Sequence, residues 1–245
     1  MIVDLLLEHA DYEATPHEVR IGRYWTAVAV RRAQGIQAGL ASALSGPEEH
    51  PHHRPPVRDA GRLLERSASD LAEMLRSESA AEASVGLSTL NALLRVDVPA
   101  CVEVNAGDVL AERGAGKRVA IVGHFPFIPQ VRKAARQLWV LELRPREGDL
   151  PAEQAAEVLP QADVVGITGS TLVNHTFDQV IALCQAAAFV MVMGGSTPLS
   201  PLFFDLGVDA VAGTCVVDAA AALRSVSEGA TFRQIGGKRL LTLFK

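Results

Sequence analysis

The sequence has 245 residues and a formal net charge of −5 at pH 7, with 49% hydrophobic and 21% charged residues. This balance is that of a globular protein, and the lack of a stripe of clustered Lys and Arg argues against a nucleic-acid partner. The longest apolar runs have about five to seven residues, well short of the roughly 20 that cross a bilayer, so no membrane span is predicted. The acidic N-terminal segment does not resemble a signal peptide, which predicts a cytoplasmic protein.

The first half of the chain predicts an α+β unit. Residues 1–10 predict a helix, and residues 17–22 and 26–31 alternate apolar and polar side chains as half-buried strands do. Residues 46–58 contain four prolines and three histidines without periodicity, which indicates a loop. Over residues 59–95, Leu and Val recur at spacings of three and four and predict helices.

The second half alternates short apolar runs with helical segments. Such runs are typical of parallel strands buried on both faces, and right-handed crossovers between them give a doubly wound sheet. The polar, Gly-rich residues 112–118 are the predicted linker, so we expect an α/β protein with an α+β domain over 1–112 and a Rossmann-like domain over 113–245. Residues 239–244 are expected to add an edge strand. The other predicted strands cover residues 118–123, 138–143, 163–168, 189–194 and 209–214.

Polar residues follow every predicted parallel strand, at the edge where doubly wound sheets bind their ligands. His124 follows the first strand, and Glu142 ends the second, where an acid bonds ribose hydroxyls in nucleoside-binding folds. The first loop is not G-x-G-x-x-G, which argues against NAD or FAD. Two interpretations of the TGST and GGST loops stay open: their Ser and Thr cap the next helix, or the loops cradle a phosphate or carboxylate.

Two histidines and one asparagine are candidate site residues with alternatives. His124, beside Phe125 and Phe127, is either a hydrogen-bonded structural residue or a functional group. His175 is predicted in the first turn of a helix, where a neutral imidazole can donate to a substrate oxygen or bind a metal. Asn91 is surrounded by Leu on a helix, and because a buried amide needs partners we expect it to face a cleft between the halves.

Cysteine and histidine spacing predicts no preformed metal site. Cys101, Cys184 and Cys215 are far apart and odd in number, which argues against a disulfide framework and a Cys-based zinc site. Cys184 and Cys215 lie in apolar runs and are expected to be buried. Three histidines lie in the Pro-rich loop without a carboxylate or Cys partner at fixed spacing, which favours a flexible loop over a metal site; they are His50, His52 and His53.

Several segments of the chain resemble a family of uncharacterised bacterial and archaeal proteins labelled as heavy-metal chelation proteins. They are residues 121–127, 162–176 and 193–214, supported by residues 21–28 and 84–94. The resemblance implies an enolase-N-terminal-like domain, a Rossmann-like domain and a cleft between them. It also implies a role in condensation or hydrolysis of pterin-, flavin- or metallophore-like molecules.

The resemblance also implies which residues line that cleft. Gly195 departs from the family pattern, in which Pro is common, so a looser loop is expected there. The implied residues are Asn91, His124, Phe125, Pro126, Glu142, Pro145, Thr168, Gly169, Thr171, Asn174, His175, Ser196, Thr197 and Pro198, with Ser170 as a further donor.

Two functions of different class remain open. In an enzyme, His124, Glu142 and His175 are the acid–base candidates, oriented by hydroxyl groups of the loops. In a non-catalytic binding module, the cleft holds a metal chelate or small metabolite, and direct binding of a divalent heavy metal requires the two histidines and Glu142 to converge. A methyltransferase is less favoured because the first loop lacks the Gly-rich approach. A small-molecule ligand is the expected partner, and homo-oligomerisation is left open.

Overall fold

Two β-sheets of different size organise residues 1–44 and 55–245, the parts of the chain that the computed structural model describes. One is a small antiparallel sheet and the other a large, mostly parallel sheet, so the predicted α/β fold class is confirmed. The three clustered histidines, His50, His52 and His53, lie outside the described residues. Within the described ranges, every helix is too short or too polar to span a lipid bilayer.

The small sheet and its helices come from the first half of the chain. Helix α1 (Ile2–Glu8) precedes strands β1 (Thr15–Ile21), β2 (Trp25–Arg32) and β3 (Gly35–Ser42), which pair in that order. Helices α2 (Ala68–Glu73) and α3 (Ala80–Leu93) follow. The predicted helical region is divided because Ser67 and Ser79 each accept a hydrogen bond from a backbone N–H three residues later and so begin a new helix.

The large sheet has the strand order β10-β9-β8-β7-β4-β5-β6, with β10 antiparallel at one edge. The five predicted parallel strands and the predicted edge strand are confirmed, and the short strand β6 is an addition. Strand β4 lies between β5 on one side and β7 on the other, so the direction of the connections reverses there. At this switch point a crevice opens at the carboxyl ends of the strands. The strands are β4 (Arg118–Val122), β5 (Gln137–Glu142), β6 (Leu150–Pro151), β7 (Val164–Thr168), β8 (Phe189–Met193), β9 (Ala210–Val216) and β10 (Lys238–Phe244).

Both faces of the large sheet are buried. One face packs against α4 (Ala106–Arg113) and α5 (Ile128–Ala134). The other packs against α6 (Ala155–Val158), α7 (Phe177–Ala182) and α1 of the first half, in one continuous core. Because α4 packs on α5, with Gly107 close to the Phe127 ring, this helix shares the core of the second half. The domain boundary at 112–113 and the enolase-like and Rossmann-like labels stay predictions.

Strand β2 is buried on both faces, and the expectation of half-buried strands is wrong there. Val28 and Val30 face α2 and α3, as one buried face requires. Ala27 and Ala29 face α8 (Ala219–Ser227), the last helix of the second half. Local alternation could not predict this packing, because the covering helix lies far along the chain.

Candidate functional site

A cleft of about 1160 Å³ opens at the carboxyl ends of the parallel strands. Trp25, Ser42 and Leu44 of the first half line one side, and the loops after the strands line the other. Nine of the implied site residues line it: His124, Phe125, Pro126, Glu142, Thr168, Ser170, Thr171, Asn174 and Ser196. Six implied residues are not part of its lining: Asn91, Pro145, Gly169, His175, Thr197 and Pro198.

His124 is held by a buried carboxylate that follows the second parallel strand but was not among the candidate site residues. Its Nδ1 lies 2.9 Å from Oδ2 of Asp149, whose side chain is 2% exposed, whereas that of His124 is 26% exposed. A tight turn positions the Asp149 carboxylate. In this turn the Asp149 N–H donates to the Arg146 carbonyl, and Gly148 adopts a φ of +86°. The Arg146 N–H donates to the same Oδ2 at 3.1 Å. Gly148 and Asp149 are residues typical of a turn, but only the fold brings this turn beside the loop after β4.

Two aromatic pairs line the cleft, each against one of two consecutive glycines. Phe125 stacks on Phe127 with ring centroids 5.0 Å apart, and the Phe125 ring lies near Gly194. Trp25 packs on Phe232 with centroids 4.8 Å apart. A Cβ on Gly195 would lie 2.4 Å from the Phe232 ring and 2.6 Å from that of Trp25, so this position requires glycine. Sequence reasoning missed Trp25 and Phe232 because they lie some 200 residues apart.

In the TGST loop, the polar groups bond to one another. The Thr168 hydroxyl accepts from the Ser170 N–H at 3.3 Å, and the Thr171 hydroxyl donates to the Thr168 carbonyl at 2.6 Å. Oδ1 of Asn174 accepts from the Thr176 hydroxyl at 2.7 Å. These bonds support helix capping over an anion cradle, since Thr168 caps the short 3₁₀ helix Gly169–Leu172.

The GGST loop joins the two halves of the chain. The Ser196 hydroxyl accepts from the Ser42 N–H at 2.8 Å, and the Ser196 carbonyl accepts from the Asn91 amide at 3.0 Å. Asn91 also donates to the Leu40 carbonyl at 2.9 Å. Asn91 therefore lies at the junction of the halves, beside the cleft.

His175 lies in a turn, and its predicted position in the first turn of a helix is wrong, because α7 begins at Phe177. It adopts a φ of 60°, a left-handed conformation that does not continue a helix. Its Nε2 donates to the Ser77 carbonyl of the first half at 2.9 Å. His175 therefore contacts the first half outside the cleft lining, apart from His124 and Glu142.

The residues present do not fit a directly bound metal. His175 lies outside the cleft and bonds the Ser77 carbonyl, so the two histidines do not converge on Glu142. Oε2 of Glu142 accepts from the Leu143 N–H at 3.0 Å. Across residues 1–44 and 55–245, no group of three His, Cys, Asp or Glu side chains is arranged to hold an ion.

The cysteines are free thiols and half-buried, so the expectation of full burial for Cys184 and Cys215 is wrong. Burial raises the pKa of the Cys184 thiol to about 11 and also raises the pKa of Cys215. Both thiols therefore stay protonated at neutral pH, and neither lines the cleft.

Known proteins share this architecture. A protein of unknown function from the DUF364 family of Desulfitobacterium hafniense has a TM-score of 0.83 at 25% identity, over 100% of this chain and 98% of its own. A DUF364 family protein from Pyrococcus horikoshii has the same TM-score at 19% identity and the same coverage. An uncharacterized protein of Methanocaldococcus jannaschii is 26% identical over 65% of this chain, and the match spans 64% of that relative's length.

Two family models also match the sequence. Residues 3–94 match DUF4213 and residues 105–245 match DUF364, and both models carry the description "Putative heavy-metal chelation". The chain therefore belongs to the family described as putative heavy-metal chelation proteins.

Proposed function

We propose that the cleft binds a planar organic molecule that chelates a heavy metal, of pterin-, flavin- or metallophore-like kind. The observation that carries this proposal is the pair of aromatic contacts beside consecutive glycines, the stacked rings of Phe125 and Phe127 and the tilted rings of Trp25 and Phe232. Aromatic rings prefer to stack on other flat rings, and a volume of about 1160 Å³ accommodates a drug-sized ligand.

In this proposal the metal is cargo and reaches the cleft on the ligand's own donor atoms. The separation of His124 from His175 supports this, since His175 bonds the first half outside the cleft and no group of three ligating side chains is found in residues 1–44 and 55–245. Glu142 and Ser170 line the cleft and orient the polar edge of the ligand. Condensation or hydrolysis of the ligand is the proposed reaction class, with His124 and Glu142 as the acid–base groups.

A non-catalytic binding module is the second candidate. It is favoured by the hydrogen bonds of Thr168, Thr171 and Ser196, whose polar groups are engaged within the protein rather than with a reacting atom. Product analysis by mass spectrometry after incubation with each bound ligand separates the two candidates. Turnover supports the enzyme, and recovery of unchanged ligand supports the module.

Tryptophan fluorescence tests the proposed ligand class. The chain has two tryptophans, so a Trp139→Phe background leaves Trp25 as the single reporter. Pterin and lumazine, each with and without Zn²⁺, should quench Trp25 and raise Tm with concentration, whereas the aliphatic chelator citrate should do neither.

Phe125→Leu should weaken binding about fivefold. Phe244→Leu, an exposed phenylalanine on β10, is the matched control. Binding of citrate alone, or unaltered affinity in Phe125→Leu, would contradict the proposal.

A further inference from the structure

His124 and Asp149 form a histidine–carboxylate pair in the wall of the cleft. We infer that this pair is a proton-transfer centre, in which His124 accepts a proton at Nε2 and Asp149 is the positioning residue. The inference rests on the proposed function in one respect, since it requires a molecule in the cleft. It deepens the acid–base role proposed for His124 by naming the ring nitrogen that accepts the proton and the residue that positions the ring.

The hydrogen bond to Asp149 determines which ring nitrogen carries the proton. An ionised carboxylate can only accept, so at 2.9 Å from Asp149 the Nδ1 of His124 is the donor. In the neutral imidazole the other nitrogen, Nε2, then has a free lone pair. The two nitrogens lie on opposite sides of the ring. With Nδ1 directed at a carboxylate that is 2% exposed, Nε2 is directed away from it, and His124 lines the cleft.

The position of Asp149 is fixed independently of the histidine. The turn over residues 146–149 closes through the Asp149 N–H and the Arg146 carbonyl, at 2.9 Å. The Arg146 N–H donates to Oδ2 at 3.1 Å, on the same oxygen that accepts from His124. Burying a carboxylate away from water costs free energy, and an ion pair at the surface would form without that cost. A buried carboxylate that positions a partly exposed imidazole is the arrangement of a general base.

The proton transfer balances without a further reactant. An N–H or O–H of the bound molecule, or of a water beside it, gives its proton to Nε2 and keeps the electron pair of the broken bond. The ring becomes an imidazolium, and the carboxylate of Asp149 offsets its positive charge. The imidazolium then returns the proton to the product or leaving group, so the protein ends the cycle unchanged.

Nitrogen NMR of the wild-type protein tests the tautomer without any substitution. In the neutral imidazole we expect the proton of His124 at Nδ1 and the lone pair at Nε2. A neutral ring that carries its proton at Nε2 would overturn the inference, because its lone pair would face Asp149 and not the cleft. The measurement needs no ligand, so it separates this inference from the fluorescence test of the proposed function.

Labelling with diethyl pyrocarbonate, which reacts with unprotonated imidazole nitrogen, tests whether the Asp149 carboxylate increases the reactivity of His124. In Asp149→Asn we expect labelling of His124 to slow about tenfold, because the charged acceptor is lost. The exposed His9 in the same sample is the internal reference, and Asp205→Asn, at an exposed aspartate, is the matched control. An unchanged rate at His124 in folded Asp149→Asn would reject Asp149 as the positioning residue. Should that variant fail to fold, the wild-type NMR result decides.

Discussion

The loops at one edge of the large sheet differ in what their polar groups do. After β4 and β5, His124 and Glu142 face the cleft, and their supporting groups lie behind them. After β7 and β8, Ser170 also lines the cleft, but the Thr168 hydroxyl caps a short helix and the Ser196 hydroxyl joins the halves of the chain. The comparison teaches that polar side chains at strand ends can either face the cleft or bond within the protein, even where the sequence pattern is the same.

The strongest test of this comparison is Gly169→Ala in the TGST loop. A Cβ at this position would lie 2.4 Å from Oγ1 and 2.8 Å from the backbone of Thr197, so the two loops would have to separate. We expect a loss of about 3 kcal/mol in the free energy of unfolding, measured by urea denaturation. Gly236→Ala, whose Cβ would meet Ala221 at 3.5 Å, should change stability by less than about 0.5 kcal/mol.

Low pH should destabilise the contact between the two halves of the chain near Glu82. The Glu82 carboxylate accepts from the Ser77 hydroxyl, and the Ser77 carbonyl accepts from His175 of the second half. Burial raises the pKa of Glu82, but hydrogen bonds from Arg58 and Ser77 outweigh this effect and lower the pKa to about 2. The folded-state pKa is below the unfolded one, so the stabilisation is complete above about pH 4.5 and is lost as the pH falls toward 2.

Glu82→Gln should therefore cost about 2 kcal/mol at pH 7, and the difference from wild type should shrink between about pH 4.5 and 2. Urea denaturation over this pH range is the measurement. Glu78→Gln, at an exposed position of the same region, is the control and should show little effect. A Glu82→Gln penalty that does not depend on pH would show that the carboxylate charge is not responsible.

Two serines in matching loops sharpen the comparison. Ser196 is 2% exposed and accepts the N–H of the half-buried Ser42, so Ser196→Ala leaves this donor without its partner and should cost about 1 kcal/mol. Ser170 is half-buried and lines the cleft, so Ser170→Ala should cost less than about 0.5 kcal/mol but weaken ligand binding. Denaturation and the Trp25 titration measure the two effects. Equal losses of stability in Ser196→Ala and Ser170→Ala would contradict the proposed difference between the two loops.

His175→Asn is expected to have a small effect on stability and none on ligand binding. Asparagine tolerates the left-handed backbone at this position, and the substitution removes only the donor to the Ser77 carbonyl. We expect less than about 1 kcal/mol of destabilisation and unchanged ligand affinity. If ligand binding were abolished instead, His175 would belong to the site, and the division between cleft and junction would have to be redrawn.

Much of the large sheet could be predicted from the sequence, because each buried strand is a continuous apolar run that ends at Gly or a polar residue. The same reasoning placed His124 and Glu142 at the sheet edge. It could not pair Asp149 with His124 or Trp25 with Phe232, since no periodicity marks residues whose partners come from another strand connection or from the other half. It also gave β2 one buried face, where packing by α8 gives it two.

The sequence by itself determined the strands and helices, the edge at which the polar loops gather and the membership of the chain in its family. These features depend on local periodicity and on residue types that act within one segment. Only the tertiary structure decided which strand-end residues line the cleft and which hold the halves together. That choice depends on hydrogen bonds and packing between residues far apart in the chain, such as Asn91 with Ser196 and His124 with Asp149.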